Sequence, residues 1–264
     1  MEKNRVRPFQ KYSTEAHIYK AENSLEIRFS ETKGFNSSYK IVLQETQNED
    51  QTKNWVIEKI EEAPLPSENS FMEILHELEQ SSYPVTIKVD EKGFFLNAVD
   101  HQKNIESWKQ KTKDIHEKYT NAEVFRNKYL TAMEDENAFY TNKLKEPFWN
   151  LLLFAPSYVD NGEKNQEFIT WNIKGIGSLE CPGIIRAEQR SYGFDAFFTS
   201  KFIIPETIKE EINKKYIRHA TQYIAELTLQ LQYFSQKKQY AKKKADFILS
   251  DGNKIVYQET SSLT

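Results

Sequence analysis

The chain has 264 residues, a net charge of −3 from 36 basic and 39 acidic side chains, and one cysteine. That length makes one large or two small domains, and 13% aromatics with only eight Gly and eight Pro argue against disorder. The charge balance gives no global case for nucleic acid, and a single thiol excludes a disulfide framework within the chain.

Residues 1–14 read as a flexible basic arm. A first sheet-plus-helix half is expected over 15–100. Leu25, Ile27 and Phe29 alternate with Glu26, Arg28 and Ser30. Tyr39, Ile41 and Leu43 alternate with Lys40, Val42 and Gln44, and Trp55 and Ile57 with Val56 and Glu58. Period two puts one side of each strand on a core. Turns are predicted at Asn23-Ser24, at Lys33-Gly34 and over 47–53. Ser70 and Glu73 form a capping-box pattern ahead of a short helix whose face is Phe71, Ile74, Leu75 and Leu78. A hairpin follows over 84–99, closed at Asp90-Glu91-Lys92-Gly93, where Gly93 supplies a positive φ.

Residues 101–156 read as a helical middle. Asp100 is the N-cap, and Ile105, Trp108, Ile115 and Tyr119 share a face. Thr120 and Glu123 mark a break and restart. Phe125, Tyr129, Met133, Phe139, Tyr140 and Leu144 populate the rest, ending in the apolar run 148–155 after Pro147. That run is far short of the roughly 20 residues that cross a bilayer. The N-terminal basic residues lack an apolar stretch behind them, so a cytoplasmic location is expected.

A second sheet-plus-helix half is expected over 157–264, after a boundary loop at 157–166. Its strands are 168–173, 184–190 and 194–204, with Gly175, Gly177 and Cys181-Pro182-Gly183 as punctuation. Pro205 opens a predicted long helix with the stripe Ile208, Ile212, Tyr216, Ala220, Tyr223, Leu227, Leu231 and Phe234. It leaves through a basic stretch, Lys237 to Lys244. A closing hairpin turns at Asp251-Gly252.

The order strands, helix, hairpin thus occurs twice, which admits a duplicated unit. The expected fold is α+β, with antiparallel twisted sheets packed on long helices in a half-barrel-like arrangement. This order resembles the half-barrel scaffolds of bacterial lipoprotein-carrier type. That resemblance implies a curved sheet that covers helices and can hold apolar matter.

The chemistry-bearing residues form no motif. His17, His76, His101, His116 and His219 include no i, i+3 or i+4 pair, so no metal site is expected. Cys181, before Pro182-Gly183, is read as a structural thiol in a turn. Gly175-x-Gly177 lacks the third glycine and the helix of a dinucleotide fingerprint, and no cofactor is expected. The acidic residues between Glu45 and Glu79 are interleaved with Lys and Asn, as on solvated faces. The basic stretch, with Tyr233, Phe234 and Tyr240 nearby, offers only a weak nucleic-acid signal against the reading of a charged helix end.

The segment 148–154 is too apolar for a loop. It is either core under the sheet or an exposed anchor, with Phe148, Trp149, Leu151, Leu152 and Phe154 as candidate partner-binding residues. The leading expectation is a non-catalytic protein-binding module: an adaptor, a chaperone or an immunity-type inhibitor. Alternatives are a carrier of an apolar or lipid ligand, predicting a cavity lined by Phe and Tyr, and an enzyme with perturbed titratable groups sharing a cleft.

Overall fold

The computed structural model describes residues 16–29, 32–61, 70–90, 93, 95–144, 146–154, 164–173, 176–234 and 239–264. The predicted arm, residues 157–163 of the boundary loop, Gly175 and Lys237-Lys238 lie outside them. In chain order the elements are β1 (Ala16–Ile27), β2 (Lys33–Gln47), β3 (Lys53–Glu61), α1 (Ser70–Ser81), β4 (Val85–Val89) and β5 (Phe95–Ala98). Then come α2 (His101–Lys111), α3 (Ile115–Lys118), α4 (Ala122–Glu134), α5 (Glu136–Lys143) and α6 (Pro147–Leu153). The last stretch holds β6 (Lys164–Ile173), β7 (Gly177–Arg190), β8 (Gly193–Ile203), α7 (Glu206–Tyr216), β9 (Ile224–Phe234), β10 (Gln239–Asp251) and β11 (Lys254–Leu263).

All eleven strands join one antiparallel sheet in the order β5-β4-β3-β2-β1-β11-β10-β9-β8-β7-β6. Every neighbouring pair but one is consecutive in sequence. The exception pairs the first strand with the last, from Ala21 opposite Leu263 to Ile27 opposite Tyr257. The sheet is open, with β5 and β6 as its edges. The fold is broadly α+β and mostly sheet.

Alternation sets the inner face. Ala21 and Leu25 of β1, Tyr39, Ile41 and Leu43 of β2, and Trp55 and Ile57 of β3 are buried. So are Leu227 and Leu229 of β9, and Phe247 and Leu249 of β10. The helices cover this face. Trp108 of α2 is fully buried, stacks on Tyr129 of α4 at 5.4 Å, and donates its indole N–H to the Leu78 carbonyl of α1 at 2.9 Å.

Three sequence expectations change. The helices are short, the longest being α4 with 13 residues, so the sheet is not laid on long helices. The predicted helix from Pro205 to Phe234 is α7 followed by β9. Steps of four residues, such as Tyr223, Leu227, Leu231, fit a helix face and one side of a strand equally, because four is even. Leu229 decides between them: it is buried beside Leu227 and Leu231, while Glu226, Thr228 and Gln230 point away.

The predicted turns at Asn23-Ser24 and Lys33-Gly34 lie within β1 and β2. Asn23 spends its amide across the strand pair, donating to the Tyr39 hydroxyl at 2.9 Å and to Ser37 Oγ at 3.3 Å, rather than bending its own backbone. Cys181-Pro182-Gly183 is strand interior in β7. Gly183 is there for close approach: a Cβ would meet the Phe198 ring at 2.3 Å. Both predicted hairpins form, and Gly93 and Gly252 carry positive φ of 91° and 61° at their turns.

Candidate functional site

The site that singles itself out is α6 and the surface around it. Strands β11 and β6 are five positions apart, roughly 24 Å in a flat sheet. A seven-residue helix is only about 10 Å long, yet α6 touches both of them, and β1 and β10 as well. The sheet therefore curls around α6 as a trough. Phe148, Trp149 and Leu151 are fully buried, Leu152 is 3% exposed, and Phe154 is half-buried. Phe148 meets Tyr39 of β2 edge-on at 5.7 Å. Of the two readings of this segment, core under the sheet is the one its burial matches: Phe148, Trp149, Leu151 and Leu152 lie on the concave face and are not presented to solvent.

Polar contacts hold α6 at its side and at both ends. At its side, Asn150 donates to the Asn172 carbonyl of β6 at 3.1 Å, and Asn172 Nδ2 donates back to Asn150 Oδ1 at 3.0 Å.

At the C-terminal end stands Lys243 of β10. Its ammonium donates to the carbonyls of Leu151, Leu152 and Phe154 at 2.9, 3.0 and 2.8 Å. The last carbonyls of a helix have no partner within the helix and carry its negative dipole end, so a cation there satisfies both. Lys243 points inward because Ala245, Phe247 and Leu249 do, two residues at a time. Its cross-strand neighbours on that face are Leu231 and Leu263. Burial pulls its pKa down to about 7.

At the N-terminal end, Glu146 belongs to a four-charge network. Lys59 of β3 lies 2.8 Å from Glu79 of α1 and 3.4 Å from Glu146, and Lys143 of α5 lies 3.9 Å from Glu146. The two lysine side chains are nearly covered, while the carboxylates keep 36% and 25% of their exposure. Burial lowers the Lys59 pKa, but the Glu146 and Glu79 charges outweigh it and the net direction is up. Burial dominates for Lys143, pushed down, and for Glu146, pushed up.

Lys143 also donates to Ser82 Oγ at 2.9 Å and sits 4.0 Å over the Tyr83 ring. A serine beside a desolvated lysine suggests a nucleophile and its base. The protons run the wrong way for that: Ser82 gives its own to the Glu79 carbonyl at 2.6 Å and accepts from Lys143. This arrangement ties helices to the sheet and does not activate Ser82.

Some interior polar groups go unmet. The indole N–H of Trp171 is buried and reaches no acceptor in hydrogen-bond geometry, while that of Trp149 faces the buried Tyr83 hydroxyl. An unmet donor carries a desolvation cost of about 1–3 kcal/mol.

The outer face is mixed, with Ile18, Phe168, Ile184 and Ile203 exposed on it among polar side chains. A depression of about 580 Å³ crosses β2, β1, β11 and β10, lined by Glu22, Ser24, Asn36, Ser38, Lys244, Thr260 and Ser262 among others. A smaller one, about 210 Å³, lies by Asp195, Phe197 and Gln230. Neither is the cavity of Phe and Tyr that a preformed carrier predicts.

The other sequence candidates fall apart. The described part of the basic stretch lies in β10, so its side chains part to opposite faces: Lys242 is exposed, Lys243 is inside, and Lys244 pairs with Asp246 at 2.8 Å. Cys181 is buried, and burial pushes its pKa up to about 12. Among the described residues no three His, Cys, Asp or Glu side chains gather in a metal-ligating group. Among the same residues no helix is long and apolar enough to cross a membrane, which says nothing of strands.

Lys243 and Lys59 escaped the sequence reading, although a signal for both was present. Continuing the alternation of Trp55 and Ile57 by one step, or stepping back from Ala245, places each lysine on the inner face.

No family model and no curated protein matches the chain. A solved structure described as "Lipid-protein interactions in lipovitellin" aligns with a TM-score of 0.46 at 8% identity, over 94% of this chain and 24% of that one. The chain spans about a quarter of that protein's length. A likeness this weak carries no argument here.

Proposed function

We propose that the chain is a non-catalytic binding protein whose trough takes an apolar ligand in exchange for α6. The observation that supports this reading is α6 itself: a short helix, apolar on nearly every side, lying in a concave sheet face and held by polar contacts at its ends and side. Energies fit an exchange. Burying Phe148, Trp149, Leu151 and Leu152 is worth about 8–12 kcal/mol at about 2–3 kcal/mol per side chain. An alkyl chain burying about a dozen methylenes at about 0.8 kcal/mol each recovers a similar amount.

The test is a brominated alkyl ester titrated into the full chain while tryptophan emission is followed. Saturable quenching is expected, with faster amide hydrogen exchange over 147–153. Emission unchanged up to the solubility limit of the ester, with α6 amides still protected, would overturn the reading.

A second reading has one observation in its favour. The outer-face depression lined by Glu22, Ser24, Ser262 and Lys244 is broad enough to seat polar groups of a partner protein. Ser24→Trp with Ser262→Trp would fill it. Under this reading the double variant loses a partner that the wild type retains, at unchanged melting temperature.

A further inference from the structure

We propose that the chain pairs with a second copy of itself along β6, antiparallel about a two-fold axis at Phe168, so that two eleven-stranded sheets join into one. This pairing is independent of the trough. The two edges of the sheet differ. β5 has four residues, and its register with β4 shifts between Lys88 and Val89. β6 has ten, paired with β7 from Lys164 to Ile173 without a shift, and among the described residues no strand lies beyond it. Bulges, prolines and charges are what usually keep an edge from pairing. From Phe168 to Ile173, β6 carries none of them, and Phe168 is 73% exposed.

Successive residues of a strand turn their N–H and C=O to opposite sides. The Ile173 carbonyl accepts from the Ile176 N–H inside the turn between β6 and β7, whereas the Asn172 carbonyl accepts from Asn150 on the other side. Gln166, Phe168, Thr170 and Asn172 therefore face the open edge, and Asn172 is taken. A second copy uses the other three when Phe168 meets Phe168 and Gln166 meets Thr170 in both directions, each pair exchanging both of its main-chain hydrogen bonds. An axis at Glu167 would set two carboxylates face to face, and one at Ile169 would oppose Gln166 to Asn172.

Side chains agree with the axis at Phe168. On the outer face the two exposed rings meet as an aromatic pair. Pro182 lies opposite Phe168 on β7, and Ile184, opposite Gln166, is also exposed, so the apolar patches of the two copies become continuous. The Gln166 amide and the Thr170 hydroxyl, both exposed, lie across from each other. One patch thus serves both copies, as a two-fold interface requires.

The experiment is sedimentation equilibrium of the full chain from about 1 to about 500 μM, because a ladder this short stays below the roughly 1,200 Å² of tight interfaces and gives micromolar association. The wild type is expected to pass from monomer to dimer over that range. Phe168→Glu, at an exposed position, sets like charges face to face and is expected to weaken association at least about ten-fold. Thr170→Pro removes an edge N–H while leaving the β7 ladder intact, and a similar loss is expected. Oxidative cross-linking reads the register, since the native Cys181 is buried. Phe168→Cys is expected to form a disulfide dimer, as is a mixture of Gln166→Cys with Thr170→Cys, whereas neither member of that mixture does so alone. A wild type that stays monomeric at every concentration, or a dimer that both Phe168→Glu and Thr170→Pro leave intact, would overturn the proposal. Thr170→Cys alone cross-linking as readily as Phe168→Cys would overturn the axis at Phe168. The wild-type result decides the matter even where a variant fails to fold.

Discussion

Two lysines sit on the inner face of one sheet and titrate in opposite directions. Lys59 on β3 has carboxylates at 2.8 and 3.4 Å, and despite burial its pKa is pushed up. Lys243 on β10 has carbonyl oxygens at 2.8–3.0 Å, and burial draws its pKa down to about 7. Full charges offset the desolvation of an ammonium, whereas peptide dipoles offset less of it. The Lys59 region is thus a fixed bolt joining β3, α1 and the start of α6. The Lys243 region holds the other end of α6 through uncharged peptide carbonyls.

The largest expected effect tests whether α6 is the shared element of that contrast. Trp149→Ala should cost about 3–5 kcal/mol in denaturant unfolding, with the same midpoint by fluorescence and circular dichroism. A loss below about 1 kcal/mol would mean that α6 is not core between the two lysines.

Next in size is Lys59→Met. It leaves Glu79 and Glu146 facing each other without their closest cation, and about 3 kcal/mol is expected, at the low end for a broken buried pair because both carboxylates retain some water.

Lys243→Met should cost less, about 1–2 kcal/mol at neutral pH. Three carbonyls lose a donor, but a buried cation is removed as well. Its pH signature separates it from Lys59. The folded pKa of Lys243 is about 7 against an ordinary 10.5, so between those values the unfolded chain binds the extra proton. Stability of the wild type relative to Lys243→Met should therefore rise with pH across that window, by up to about 1.4 kcal/mol per pH unit. A pH-independent difference in unfolding free energy would remove the distinction drawn between the two lysines.

The smallest effect is on the opposite face. Ser262→Ala should shift stability by less than about 0.5 kcal/mol, since Ser262 lies in the open depression. A larger loss would mean that the outer face is tied into the fold rather than free.

The hairpins at 84–99 and 245–258 were legible in the sequence because each is a local object. Alternating apolar residues and a glycine with positive φ act within a few residues of one another. The segment after Tyr216 was not, since its stripe fits two periods at once and only Leu229 distinguishes them. For 148–154 the apolar character was legible and the side that covers it was not. Lys59 and Lys243 carry the same lesson: each belongs by period two to a buried row, but a charge on that row looks like a break in the pattern until a partner is seen.

Taken by itself, the order of residues determined the antiparallel hairpins, the broken helical middle and which strand positions are apolar, because these depend on neighbours within about ten residues. Only the tertiary structure decided that β1 closes on β11 across the whole chain, that the sheet curls about α6, and that two buried ammonium groups find an ion network in one case and a helix end in the other. Those outcomes depend on contacts about 90 residues or more apart, whose closure is set by the packing of the whole sheet.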